Sequence, residues 1–126
     1  MKEVGEIILS SLNHTWVLDL DGSILKHNGY LLDGTDEFLP GAKEFLLELP
    51  ENDMIIFITS RNLKYKKLTE DFLLENKIRY STIIYNAPMG ERILVNDNKP
   101  SGLRMAYACP VERNNFRIEY SVDDTI

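Results

Sequence analysis

This sequence predicts an α/β fold with a mainly parallel sheet and helices on both faces, and three observations carry the prediction. Apolar, β-rich runs alternate with helix-like stretches from Thr15 to Asp97, which is the alternation of a parallel sheet. The runs TWVLDL, DMIIFITS, YSTIIY and RILVND are nearly continuous in apolar residues, as strands covered on both faces are. Polar signals stand at three of their ends, DLDG, TSRN and NDNKP. In such folds ligands bind beyond the carboxyl ends of the strands.

Taken in order, EVGEIILSSL reads as a short amphipathic helix leading in, and TWVLDL as the first strand of the sheet. LPGAKEFLLELP reads as a helix: Pro40 stands at its start, Phe45, Leu46 and Leu49 recur at helical spacing, and Pro50 closes it. DMIIFITS is the second strand. The pattern from Leu63 to about Asn76 is helical, with Leu68, Phe72 and Leu73 on one side. YSTIIY and RILVND follow as strands separated by the turn signal NAPMG. GLRMAYAC and NNFRIEYSV add candidate edge strands.

The bulk composition is that of one globular domain spanning residues 1–126. The chain is 44% hydrophobic and 27% charged, ordinary values for a folded domain. Its formal charge of −6 gives no basic field for DNA or RNA, although a bound cation can reverse the sign of a site locally. Cys109 is the sole cysteine and has no internal disulfide partner, which fits a reducing compartment; in AYACP it reads as a small buried hydrophobe. The acidic residues in MKEVGEIILSSLNH do not suit a signal peptide, and no apolar run reaches the roughly 20 residues of a membrane span. A cytoplasmic protein without a nucleic-acid or membrane partner is expected. Trp16, Phe57 and Tyr85 read as core residues in this acidic chain, and His14 and His27 do not have zinc-ligand spacing.

The stretch VLDLDGSIL holds Asp19 and Asp21 two apart at the end of an apolar run, followed by Gly22. Side chains two apart on a strand share a face, so the carboxylates can act together if the strand persists to Asp21. Gly22 lets the backbone leave sharply. An Asp–Gly turn with no further role is the alternative. The polar ends of two further strands, in order, weigh against it.

DLDGS, FITSR and ILVND in this order resemble the haloacid dehalogenase-like superfamily of phosphatases and phosphotransferases, across roughly Thr15 to Pro110. The strings KHNGY and PMGERILVNDNKPSGL look like small bacterial members associated with surface-carbohydrate metabolism. The resemblance implies a Rossmann-like three-layer α/β/α fold. About 15 residues separate DGSIL from the helix near Gly41, too few for a cap domain when even small domains need about 50.

The resemblance also implies roles. Asp19 would be the nucleophile that forms an aspartyl-phosphate; a carboxylate is ionised at neutral pH and needs no activating base. Asp21 would protonate the leaving oxygen and then activate water, for which its proton affinity must be raised. Thr59 would grip phosphate where a strand passes into a helix, although helix capping by Thr59, Ser60 or Asn62 is a purely structural alternative. Ser60 and Arg61 read as serving structure or solvent. A Mg²⁺ site would take the carboxylates of Asp19 and Asp97 and the backbone carbonyl of Asp21, in keeping with the ion's preference for oxygen. A polar turn is the plain alternative for NDN.

Three departures from the family pattern bear on these roles. The family places a lysine, sometimes an arginine, shortly before its last acidic strand end, and no lysine stands between Arg79 and Asp97. Arg92, which could instead pair with Glu91, and Lys99 are the candidate phosphate-binding cations. Lys64, Lys66 and Lys67 read as a solvated helix face. Ser23 replaces the usual threonine after DG, and Asn96 stands where many relatives have an acid.

Capless relatives often shield the site with a neighbouring subunit, so residues 26–38, with Tyr30, Leu31 and Leu32, are either a homo-oligomer contact or packed on their own domain. The expected activity is Mg²⁺-dependent hydrolysis of a small phosphorylated metabolite, with a sugar phosphate as one candidate. A catalytically weak sugar-phosphate-binding or scaffold protein of carbohydrate biosynthesis is the alternative.

Overall fold

The computed structural model describes residues 6–126 and divides into two compact units. The larger takes Asn13–Pro88 and Glu112–Phe116; the smaller takes residues 6–12, Met89–Val111 and Arg117–Ile126.

The larger unit is the expected α/β alternation. Strand β2 (Thr15–Asp19) leads through helices α1 (Gly29–Leu32) and α2 (Ala42–Glu48) to β3 (Met54–Ile58). A 3₁₀ turn (Leu63–Tyr65) and α3 (Lys66–Glu75) then lead to β4 (Thr82–Ile84). The three strands are parallel in the order β2-β3-β4, with Val17 opposite Ile56 and Ile56 opposite Thr82. Successive strands step the same way across the sheet, and right-handed crossovers then put α2 and α3 on one face. Burial agrees. Leu18, Ile55 and Phe57 point to that face and are almost wholly buried, while their neighbours Val17 and Met54 are about half exposed. The Trp16 ring meets Phe45 of α2 edge-on, with centroids 5.4 Å apart.

Local chemistry sets the helix ends. Gly41 adopts φ +84° before α2, a conformation that Cβ-bearing residues resist. Leu49 ends α2 with extended backbone because Pro50 bars the helical region to the residue before it. Thr69 and Leu73 are the buried pair of α3, and Leu68, expected on the inner side, is 38% exposed. Thr69 takes the inward place because its hydroxyl accepts a hydrogen bond from Arg61 Nη1 at 2.9 Å.

In the smaller unit β1 (Ile7–Leu9) pairs in parallel with β5 (Tyr120–Val122). This corrects the expected lead-in helix, whose residues 3–5 lie outside the described residues. Ile7, Ile8 and Leu9 suit a pleated ladder, and pairing with β5 supplies the partner that a helix would have lacked. The NNFRIEYSV stretch contributes β5. RILVND and GLRMAYAC, expected as strands, belong to none. Ile93, Leu94 and Val95 are 85%, 62% and 88% exposed. Lys99 N–H donates to the Leu103 carbonyl at 3.0 Å and closes a turn through NKPSG. Cys109 is half-buried, and burial pushes its thiol above the ordinary value while Arg104 pulls the other way. No helix among the described residues is long and apolar enough to cross a membrane.

Candidate active site

Asp19 is the last residue of β2, opposite Ile58 at the end of β3. The strand stops there and does not persist to Asp21. Leu20 is fully buried, and its carbonyl accepts hydrogen bonds from the Ile24 and Leu25 N–H groups at 3.0 and 2.9 Å. Gly22 sits at φ +85°, and a Cβ there would lie 3.3 Å from the Arg113 side chain. Gly22 N–H donates to Leu25 at 2.7 Å, and Asn114 N–H donates to the Gly22 carbonyl at the same distance. The DG step is therefore a turn. It also leaves both aspartates at the carboxyl end of the sheet.

Ser23 Oγ donates to Asp19 Oδ2 at 3.0 Å. Thr59, the first residue past β3, is fully buried. Its hydroxyl donates to Asp21 Oδ2 at 3.2 Å and accepts from Arg61 N–H at 3.0 Å. Asn62 caps the following 3₁₀ turn by accepting from Lys64 N–H at 2.9 Å, so capping falls to Asn62 and the Thr59 hydroxyl faces Asp21.

Arg61 is the centre of this end of the unit, and sequence reasoning gave it too small a part. Its side chain is fully buried. Nε and Nη2 donate to the two oxygens of Asp21 at 3.1 and 2.9 Å. Nη1 and Nη2 donate to the two oxygens of Asp36 at 2.9 and 2.7 Å. The Tyr30 ring lies 4.0 Å from the guanidinium carbon and 4.9 Å, centroid to centroid, from Tyr65. Burial works against the charge of Arg61, and the hydrogen bonds it donates to Asp36 and then to Asp21 outweigh it, holding the guanidinium charged. Tyr30 is pushed up by burial first and by the Asp21 charge second. The usable sequence signal was an arginine directly behind a strand end in TSR. Its partner Asp36 was hidden in residues 26–38, a stretch that read as a homo-oligomer contact or as packed on its own domain.

That stretch, residues 26–38, is pinched at its base. Lys26 N–H donates to Glu37 and Leu39 N–H to Ile24, both at 2.9 Å. Asn28 at φ 55° and Gly34 at φ 74° turn the chain within it. Tyr30 packs on its own unit, while Leu31 and Leu32 are 53% and 73% exposed. A cleft of about 540 Å³ between Gly34–Asp36 and α3 includes Asp36, Lys64 and Lys67 but neither Asp19 nor Asp21.

Asp19, Asp21 and Thr59 are thus together on the larger unit. Arg92, Asp97 and Lys99 belong to the smaller unit and are exposed. The donors about Asp19 are oxygens, the chemistry that Mg²⁺ takes. The Asp21 carboxylate is held by Arg61, which leaves its backbone carbonyl as the group for an ion. Among the described residues no three His, Cys, Asp or Glu side chains gather as metal ligands would.

No protein-family model and no curated protein matches the chain. A solved structure described as the Pnkp1/Rnl/Hen1 complex aligns with a TM-score of 0.50 at 22% identity. The alignment covers 66% of this chain and 31% of that one, so this chain spans about a third of the matched chain. At that identity the likeness concerns the fold: a small, Rossmann-like α/β arrangement of parallel strands.

Proposed function

We propose that the protein is a Mg²⁺-dependent phosphomonoester hydrolase of the haloacid dehalogenase-like type, without a cap, acting on a small phosphorylated metabolite in the cytoplasm. A sugar phosphate is the first candidate, and the full fold in this reading has a second helical layer. The observation that carries it is the placement of Asp19 and Asp21 at the carboxyl end of β2, with the Thr59 hydroxyl 3.2 Å from Asp21.

An Asp19 oxygen attacks phosphorus, the bond to the leaving oxygen breaks, and Asp21 gives that oxygen its proton. Water then attacks the aspartyl-phosphate, Asp21 takes the water's proton, and inorganic phosphate leaves. Both Asp21 oxygens are engaged by Arg61, so acid duty requires one to turn toward the substrate. Ser23 orients the Asp19 carboxylate. Magnesium, which the Asp19 carboxylate and the Asp21 carbonyl would hold, would supply positive charge against the phosphoryl oxygens.

The decisive measurement is phosphate release from a panel of sugar phosphates, with Mg²⁺ and with chelator. Turnover should need the ion and vanish in Asp19→Asn, whose amide keeps the size but is a poor nucleophile. Full activity in chelator, or in a clean preparation of that variant, would refute the mechanism.

The hold of Arg61 on both Asp21 oxygens favours a second reading, a catalytically weak sugar-phosphate-binding or scaffold protein. Saturable binding of a sugar phosphate with no phosphate release would select it.

A further inference from the structure

A guanidinium has five N–H donors, and Arg61 spends all of them inside the larger unit. Nε and one hydrogen of Nη2 go to Asp21 at 3.1 and 2.9 Å. The other hydrogen of Nη2 and one of Nη1 go to Asp36 at 2.7 and 2.9 Å. The last, on Nη1, goes to the Thr69 hydroxyl at 2.9 Å. The side chains of Arg61 and Asp36 are wholly buried, whereas that of Asp21 is 16% exposed. Arg61 therefore has no donor left to offer a phosphate, and of its two carboxylates Asp21 is the one within reach of a substrate.

The two Asp21 oxygens are not held alike. Oδ2 accepts from the Thr59 hydroxyl at 3.2 Å and from Arg61 Nε. Among the described residues, Oδ1 accepts from Arg61 Nη2 alone. That nitrogen makes its shorter bond to Asp36 Oδ1. Oδ1 can thus move away with one hydrogen bond lost, and the nitrogen it leaves keeps a carboxylate.

We propose that Asp36 is a positioning residue for the reaction: it anchors Arg61 while Asp21 Oδ1 turns about Oδ2 to meet the leaving oxygen. The inference rests on the phosphatase reading. The proton passes from Oδ1 to the leaving oxygen as that oxygen's bond to phosphorus breaks and the bond from Asp19 forms. In the second step Oδ1 takes a proton back from the attacking water. Throughout, Asp36 and Thr69 hold the Nη1 end of the guanidinium, and the Tyr30 ring, 4.0 Å away, covers its face. Without the Asp36 charge, the buried guanidinium would be left with Asp21 as its carboxylate partner. Releasing Oδ1 would then strand the positive charge, which is costly in a buried site.

Leaving-group dependence separates this role from a merely structural one. The full chain and its Asp36→Asn variant are assayed on phenyl phosphate, whose phenolate leaves poorly without a proton, and on p-nitrophenyl phosphate, whose phenolate leaves readily. The variant keeps the size of the side chain and removes its charge. Its kcat/KM should fall about tenfold or more on phenyl phosphate, a part of what a general acid supplies, and less than about threefold on p-nitrophenyl phosphate. KM should stay near the wild-type value on both. Equal losses on the two esters, or no loss in folded variant protein, overturn the assignment of Asp36 while leaving the phosphatase reading in place. Wild-type protein that releases phosphate from no ester overturns that reading, and the role of Asp36 falls with it.

A crystal structure of the wild-type protein with tungstate, a phosphate mimic, gives a second measurement that does not depend on the variant's folding. Asp21 Oδ1 should face the bound oxyanion, with Oδ2 still on Thr59 and both Asp36 oxygens still on Arg61. An unturned Asp21, Oδ2 in the place of Oδ1, or Arg61 drawn off Asp36 would overturn the proposal.

Discussion

At the scale of single residues, Arg61 decides how this end of the sheet is held. One guanidinium forks onto two carboxylates, and Asp36 is as fully buried as Arg61 itself. Removing one partner of such a pair leaves an uncompensated buried charge, which costs about 3–5 kcal/mol. Arg61→Ala should therefore lose stability on that scale in urea unfolding. The double variant with Asp36→Asn should recover much of the loss, because the stranded charge is gone; equal losses in the two would show that Asp36 is not the group left unpaired. Arg61→Lys should rescue poorly, since an ammonium cannot reproduce the planar fork. The phosphate-gripping cation is a separate matter, because Arg61 is turned to carboxylates. Arg92→Ala and Lys99→Ala test it: loss of the donor in use should slow turnover by about 10²–10³. If neither falls tenfold, the charge comes from another group.

At the scale of elements, the sheet is tied at its amino end as well. Buried Asp53, just before β3, accepts from His14 N–H and from Trp16 Nε1, both at 3.0 Å. Its own carbonyl accepts from Arg79 at 2.8 Å. Asp53→Ala removes two hydrogen bonds that bind the start of β2 to β3 and should cost about 1–3 kcal/mol. The denaturation midpoint should fall with an unchanged slope, and an unmoved midpoint would show the clamp to be idle. The elements of this unit were legible because their signals are local. Pro40 and Pro50 bracket α2, Asn62 opens the helical stretch, and the apolar runs give β2, β3 and β4. Failures came where pairing is long-range. Ile7–Leu9 became a strand because Tyr120–Val122 lies alongside, a partner that nothing near residue 7 announces. The apolar run of RILVND has strand chemistry, but propensity names no partner for it.

At the scale of the whole molecule, the site was legible as spacing and not as a network. D-x-D-G at one strand end and T-S-R at the next placed Asp19, Asp21 and Thr59 together. The fork from Arg61 to Asp36 joins residues 25 apart through a turn-rich segment, and no periodicity marks it. The same unit carries an alkaline liability. Tyr85 and Tyr80 donate to Glu70 at 3.0 and 3.4 Å. Burial first, then the Glu70 interactions, push both phenols up, and Tyr30 is raised by burial and Asp21. The unfolded chain ionises its tyrosines near about pH 10, whereas the folded unit keeps these three neutral to higher pH. Their contribution to stability is thus complete below about pH 10 and is lost as pH rises through the folded values. A net charge of −6 at neutral pH adds to the effect, since each new phenolate joins an excess of negative charge. Tyr85→Phe should lower stability at pH 7 by about 0.5–1.5 kcal/mol, the worth of its hydrogen bond. It should also flatten the decline between pH 10 and 12, because one ionisation that favours the unfolded chain is removed. Thermal unfolding of both proteins across that range is the measurement, and parallel curves would show that Tyr85 plays no part in the alkaline loss.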